Sequence, residues 1–202
     1  REMGGGYEFN EVFFTDARIP AGNIVAARGQ GWQVSRATLV HERNLIGNPN
    51  MMRECFTDLL NLARVRQING RPAIEDTGYR RRIAEIEGYV WTSELSGMRQ
   101  FTAANRGEGL KVMRPMMMNK VSSTDTMQMI MKCAYDLLGG DGIYSPAEDE
   151  LDTWGRTTTS TGWVLQYIFS MGPAIAGGAT NIQLNIIGER GYGLPRDMRK
   201  SG

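Results

Sequence analysis

The chain has one histidine, His41, and two cysteines, Cys55 and Cys133. So few soft ligands, at no metal-site spacing, leave no metal centre to expect. Two cysteines in apolar helical contexts also make no disulfide framework. A reducing, cytoplasmic setting is expected, or the mitochondrial matrix in a eukaryote. An excess of one charge is missing too. With 23 basic and 22 acidic residues the net charge is +1, which gives no electrostatic case for nucleic acid or an anionic membrane. The basic clusters Arg80-Arg81-Arg82 and Arg196 to Lys200 are short and read as solvated helix face and tail. No apolar run approaches the roughly 20 residues that span a bilayer. There is no internal repeat, no low-complexity tract and no signal-like opening. The start at Arg1 without Met is read as a fragment or a processed terminus.

What is present is a globular composition, 41% hydrophobic and 22% charged over 202 residues. That is enough for one sizeable core. Residues 7 to 26 read as strands. Tyr7 to Phe14 is aromatic and β-branched, and Asp16 and Pro20-Ala21-Gly22 punctuate it. Two short strands make no stable sheet alone, so they are expected to join a sheet supplied elsewhere.

From Gly31 the pattern turns helical. A first segment covers about Trp32 to Gln67, with a bend at Gly47-Asn48-Pro49. Asn69-Gly70-Arg71-Pro72 is a break. A second helix runs from about Thr77 to Asn105 with Asp76 as N-cap. A third runs from about Pro115 to Leu138 and stops at Gly139-Gly140-Asp141-Gly142. A helical turn is expected at Glu150 to Arg156, then two closing helices at Gly162 to Ser170 and Asn181 to Arg190. The predicted fold is all-α: an antiparallel four-helix-type bundle with extra C-terminal helices, preceded by a short β-strand remnant. The boundary is placed between residues 30 and 31. Met116-Met117-Met118, Met127, Met129 and Met131 read as adaptable core filler, and Ser122-Ser123 as polar face.

Four segments carry the chemistry. Val12-Phe13-Phe14-Thr15-Asp16-Ala17-Arg18-Ile19-Pro20 leads through Gly29-Gln30-Gly31-Trp32 into the first helix. Arg66-Gln67-Ile68-Asn69-Gly70 and Leu138-Gly139-Gly140-Asp141-Gly142 follow. The last is Gly177-Gly178-Ala179-Thr180-Asn181-Ile182-Gln183-Leu184-Asn185-Ile186-Ile187-Gly188-Glu189-Arg190. In this order and spacing they resemble the flavin-dependent acyl-CoA dehydrogenases: the last strand of the middle β-domain, the Arg-x-x-Phe-Gly segment, the Leu-Gly-Gly-x-Gly loop and the terminal signature. The resemblance covers the C-terminal half of such an enzyme.

It implies a two-electron oxidation of an acyl-CoA thioester to the 2-enoyl-CoA. A carboxylate removes the α-proton and the β-hydrogen leaves as hydride to FAD. It also implies a dimer or dimer of dimers, homomeric or heteromeric, and electron-transfer flavoprotein or a similar acceptor. The cofactor-binding residues it implies are Arg66, Gly139, Gly140, Thr180 and Asn181. Asn69, Thr77, Asp136 and Ala179 depart from the family pattern, and an aspartate at 136 is unfavourable beside a pyrophosphate. The chain alone is expected neither to hold flavin tightly nor to turn over.

The base is the sharpest departure. Many members carry a glutamate where this chain has Gly177. Others carry it on the first bundle helix in a Leu-x-x-Glu-Arg-like segment, and Leu39-Val40-His41-Glu42-Arg43 matches that alternative. Glu42 is therefore the candidate base, as against a structural ion pair. Arg43 and Gly177 are candidate substrate contacts. A small residue at 177 with the base on another helix favours a branched or bulky acyl group. The alternatives are a non-catalytic or degenerate assembly subunit, and a related flavin oxidase or monooxygenase on the same scaffold.

Overall fold

The computed structural model describes residue 3 and residues 9–46, 48–108, 113–143 and 159–196. Within helices, the side chains of residues 39–46, 113 and 161 are outside that description. The order is α1 (Gly31–Ile46), α2 (Pro49–Val65), β1 (Gln67–Ile68), β2 (Arg71–Pro72), α3 (Thr77–Asn105), α4 (Met113–Leu138), α5 (Ser160–Met171) and α6 (Thr180–Ile186), with short 3-10 turns between.

Local chemistry sets the boundaries. Asn48 caps α2 by accepting the Asn50 amide at 3.0 Å, with Pro49 at the first helical position, where its missing N–H costs nothing. The expected bend is thus a full break between α1 and α2. Asp76 caps α3 by accepting from the Tyr79 amide at 3.0 Å. The break at 69–72 is a hairpin: Asn69 (φ 53°) and Gly70 (φ 76°) both take the left-handed conformation that a two-residue turn requires. Its strands are two residues each, too short to leave a periodic signal. Helix α6 ends in a π-turn over Ile187–Gly191.

The helices pack antiparallel. Arg53 near the start of α2 meets Glu94 far along α3, Arg82 near the start of α3 meets Asp136 near the end of α4, and Tyr135 of α4 stacks on Tyr167 of α5 at 4.9 Å. One apolar cluster joins α2, α3, α4 and α5 through Met52, Phe56, Leu59, Ile86, Ile130 and Trp163, all essentially buried. Helix α1 lies against α4.

Three expectations change. Residues 9–20 pair with no strand among the described residues, and Phe9, Phe13 and Phe14 are exposed. An extended segment registers as a strand only when a neighbour completes its ladder. Met116 and Met118 are exposed, so only part of the methionine run is core. Ser123 is buried rather than on a polar face. The helical turn expected at 150–156 lies outside the described residues.

The α2–α3 contact predicts a pH effect. Arg53 donates to both Glu94 oxygens, at 2.6 and 2.7 Å, and its guanidinium lies 5.1 Å from the Trp91 ring centre. The hydrogen bonds from Arg53 hold the Glu94 carboxyl below its ordinary value. A depressed folded-state pKa adds stability above the unfolded-state value and loses it as the pH falls through the folded one. Glu94→Gln is expected to cost about 1–2 kcal/mol in the intact protein at neutral pH. The thermal midpoint of the variant should then fall less than that of the wild type below about pH 4. Parallel acid curves for the two proteins would contradict this.

Candidate functional site

Two glycine turns, at opposite ends of α4, gather the candidate residues. The first follows α4. Gly139 takes φ 56°, and the chain continues as a 3-10 turn to Ile143. A Cβ built on Gly139 or on Gly140 would meet nothing within 4 Å, so the backbone there is bare and open to approach. Arg66, the C-terminal cap of α2, reaches this turn. Its Nη1 donates to Asp141 at 2.6 Å and its Nη2 to the Ser160 hydroxyl at 2.7 Å. One guanidinium therefore ties the end of α2, the turn after α4 and the start of α5.

Those bonds use two of the five N–H donors of Arg66, whose side chain is 29% exposed. The remaining donors and the bare glycine backbone suit an anion such as a phosphate edge. Asp141 is the opposing term, because its carboxylate already engages the cation. Asp136 is less adverse than its charge implied. Arg82 donates to it at 3.0 Å, and Lys132 one turn earlier donates to its other oxygen. Arg82 is thus an interhelical partner rather than a purely solvated residue; Arg80 and Arg81 are exposed as expected.

The second turn lies between α5 and α6. Gly177 (φ 63°) and Gly178 (φ 100°) are both left-handed. Their carbonyls are held from inside. Gln183 Nε2 donates to Gly177 O at 3.2 Å, and Lys120 Nζ of α4 donates to Gly178 O at 2.8 Å. Thr180 Oγ1 donates to Ala174 O at 3.2 Å, and Asn181 is exposed in the first turn of α6. Lys120 is 2% exposed, and burial pushes its ammonium below the ordinary lysine value.

The five cofactor candidates therefore do not form one cluster. Arg66, Gly139 and Gly140 sit at one end of α4, and Thr180 and Asn181 at the other. Lys120, about two turns into α4, and Leu138 at its end stand beside the two turns, and an α-helical rise separates them by about 27 Å. The side chains of Glu42 and Arg43 lie outside the described residues; their helix, α1, packs on α4.

Sequence reading missed Lys120, Asp141 and Ser160. Lys120 had a signal. It stands four, seven and eleven residues before Thr124, Met127 and Met131, on the inward spacing of α4. A lysine at an inward position marks a buried donor that needs an acceptor. Asp141 and Ser160 are brought to Arg66 by tertiary contact alone.

Comparison with known proteins bears on the family and the fold. The family model described as acyl-CoA dehydrogenase, C-terminal domain, matches residues 29–192. Acyl-CoA dehydrogenase IpdE1 of Mycobacterium tuberculosis is 34% identical, with 98% of this chain and 47% of the relative covered. Acyl-CoA dehydrogenase IpdE1 of Mycolicibacterium smegmatis is 32% identical, with 98% and 45% covered. The chain spans about half the length of the relatives it matches. The solved Tcur3481-Tcur3483 steroid ACAD shares the fold with a TM-score of 0.72 at 19% identity, over 92% of this chain and 45% of that one.

Proposed function

Because this chain belongs to the acyl-CoA dehydrogenase family, as its C-terminal domain, we propose that it is the helical half of an enzyme that oxidises a bulky acyl-CoA thioester. Residues 1–30 belong with the preceding β-domain in this reading. The observation that carries it is the Gly177-Gly178 turn. Both residues are left-handed, neither bears a side chain, and both carbonyls are fixed from within the bundle. The place where many members of the family hold a glutamate is small, bears no carboxylate and is tied by hydrogen bonds.

Glu42 on α1 is then the base that takes the α-proton. A carboxylate near its reference value of about 4 is a weak base for a carbon acid. An apolar acyl chain beside it raises that value toward the working range. Arg43 orients neighbouring groups, and the bare turn at Gly177 leaves volume for the acyl group. Arg66, Gly139 and Gly140 would hold the pyrophosphate end of FAD. When bound, FAD supplies the acceptor for the β-hydride. Thr180 and Asn181, at the other turn, would offer polar contacts to a different part of the cofactor.

The fold shared with a steroid ACAD makes polycyclic acyl groups the class to test first. The intact enzyme is expected to turn over branched or polycyclic acyl-CoA thioesters with kcat/KM at least about tenfold above short straight ones. Methylene-scale differences in an apolar pocket already give discrimination of that order. A clear preference for short straight chains would overturn the bulky-acyl reading. Dependence on an electron-transfer flavoprotein rather than on oxygen separates a dehydrogenase from a flavin oxidase.

One observation favours a second reading. Asp141 engages Arg66 and competes with any phosphate for it. A heteromeric enzyme, in which this subunit completes only some of the flavin sites, follows if the purified complex holds less than one FAD per subunit.

A further inference from the structure

The interior of the bundle changes character along α4. Its second half packs Ile130, Cys133, Ala134 and Leu137 into the apolar cluster. Its first half buries Lys120, Ser123, Thr124 and Thr126, beside Ser170 at the end of α5 and Gln183 of α6. Lys120 is the only cation in that group. Among the described residues no carboxylate lies within ion-pair distance of it, and its hydrogen bond goes to a backbone carbonyl, Gly178 O. One helical turn away on the same side of α4, the buried Thr124 hydroxyl has no hydrogen-bond partner among the described residues. Desolvation outweighs the Asp125 carboxylate, which favours the charge of Lys120 from beyond ion-pair distance. Burying an ammonium on those terms is costly, and an apolar residue of the same length would avoid that cost. Bundle stability does not account for a lysine here.

The hydrogen bonds of the second turn account for it better. Gln183 to Gly177 O and Thr180 to Ala174 O each span six residues, so they shape the turn without placing it. Lys120 to Gly178 O spans 58 residues and comes from another helix. A second tie from α4, Arg114 Nε to Gly191 O at 2.7 Å, holds the far end of the segment, with the Arg114 guanidinium 5.2 Å from the Tyr192 ring centre. Two cations of α4 thus bracket α6, and the buried one sits at the glycine turn.

We infer that Lys120 is a positioning residue, which fixes the Gly177-Gly178 turn against α4 and so sets the distance between that turn and the helix α1 packed on α4. It touches no reacting atom. Its part in acyl-group selection rests on the functional reading above; the pinning of the turn does not.

Lys120→Met in the intact enzyme keeps the stem and removes every donor. Charge-assisted hydrogen bonds are the strong ones, so amide hydrogen exchange across residues 175–183 is expected to rise about tenfold or more. Exchange in α2 and α3 should stay unchanged, and the thermal midpoint should not fall. Lys120→Arg, which keeps donors, should hold exchange at 175–183 within about threefold of wild type. In steady state, Lys120→Met should erode the discrimination between bulky and short acyl-CoA thioesters more than it lowers kcat. Unchanged exchange at 175–183 overturns the inference. So does acceleration spread over the whole bundle, or failure of the Met variant to fold, since either makes Lys120 a residue of the bundle and not of the turn. The exchange result needs no substrate, so an enzyme inert to acyl-CoA would sink the functional reading and leave this measurement intact.

Discussion

Exchange of Glu42 for Gln in the intact enzyme is expected to lower α-proton exchange of a bound acyl-CoA by about a thousandfold, within the span that general-base catalysis contributes. Gln keeps the length and polarity of the side chain and cannot accept the proton. Substrate affinity and flavin content should stay within about threefold of wild type. Gly177 bears no functional group, and the buried groups nearest to it in the turn are both donors, Gln183 and Lys120. Neither serves as a base, Gln183 because an amide does not and Lys120 because an ammonium that donates to a carbonyl has no free lone pair. In the proposed reading the proton acceptor comes from another element, and α1, which packs on the helix that pins the turn, carries the candidate Glu42. A reciprocal variant sharpens the test. Gly177→Glu in the Glu42→Gln background is expected to recover part of the exchange. Recovery would be incomplete, because a non-glycine residue at φ 63° costs about 1–2 kcal/mol. Undiminished exchange in Glu42→Gln would remove Glu42 from the mechanism and leave it as an ion-pair residue.

Much of this scaffold was legible because its signals are local. Asp76, Asn48-Pro49 and the glycine stop after Leu138 act within a few residues of where they stand, and the helices begin and end at them. Asn69-Gly70 was also local, but it was read as a break because the two-residue strands around it carry no alternation. The site divides in the same way. The glycines announced themselves at 139–140 and 177–178, since a left-handed turn without Cβ leaves a mark in the sequence. Their partners did not. Asp141 for Arg66, Arg82 for Asp136 and Lys120 for Gly178 are set by helix packing over 54 to 75 residues, and no spacing rule reaches that far. Met116 and Met118 show the reverse limit. Their residue type suits a core, and Met116 even stands four residues before Lys120 on the inward spacing, yet both are exposed near the start of α4.

The same distinction predicts that two equally conspicuous glycines differ in what a methyl group does to them. Gly139→Ala, at φ 56° in open space, is expected to cost about 1 kcal/mol, the strain of a left-handed alanine and little else. Gly178→Ala is expected to cost about 3 kcal/mol. Its φ of 100° is strained for any side chain, and the added Cβ would stand 2.2 Å from Gln183 Nε2. Gln183 can swing away only by giving up the carbonyl of Gly177, and its amide is then buried at 5% exposure without a partner. Strain of about 1–2 kcal/mol and a stranded amide of about 1–3 add at one place. Pairing the substitution with Gln183→Ala decides which part matters. If the stranded amide dominates, the double variant is more stable than Gly178→Ala alone, because the space vacated by Gln183 admits the methyl group. If backbone strain dominates, the second change adds its own cost. Thermal or denaturant unfolding of the intact protein reads both differences. Equal losses at 139 and 178 would mean that Gln183 yields freely, and the turn would then owe its rigidity to Lys120 alone.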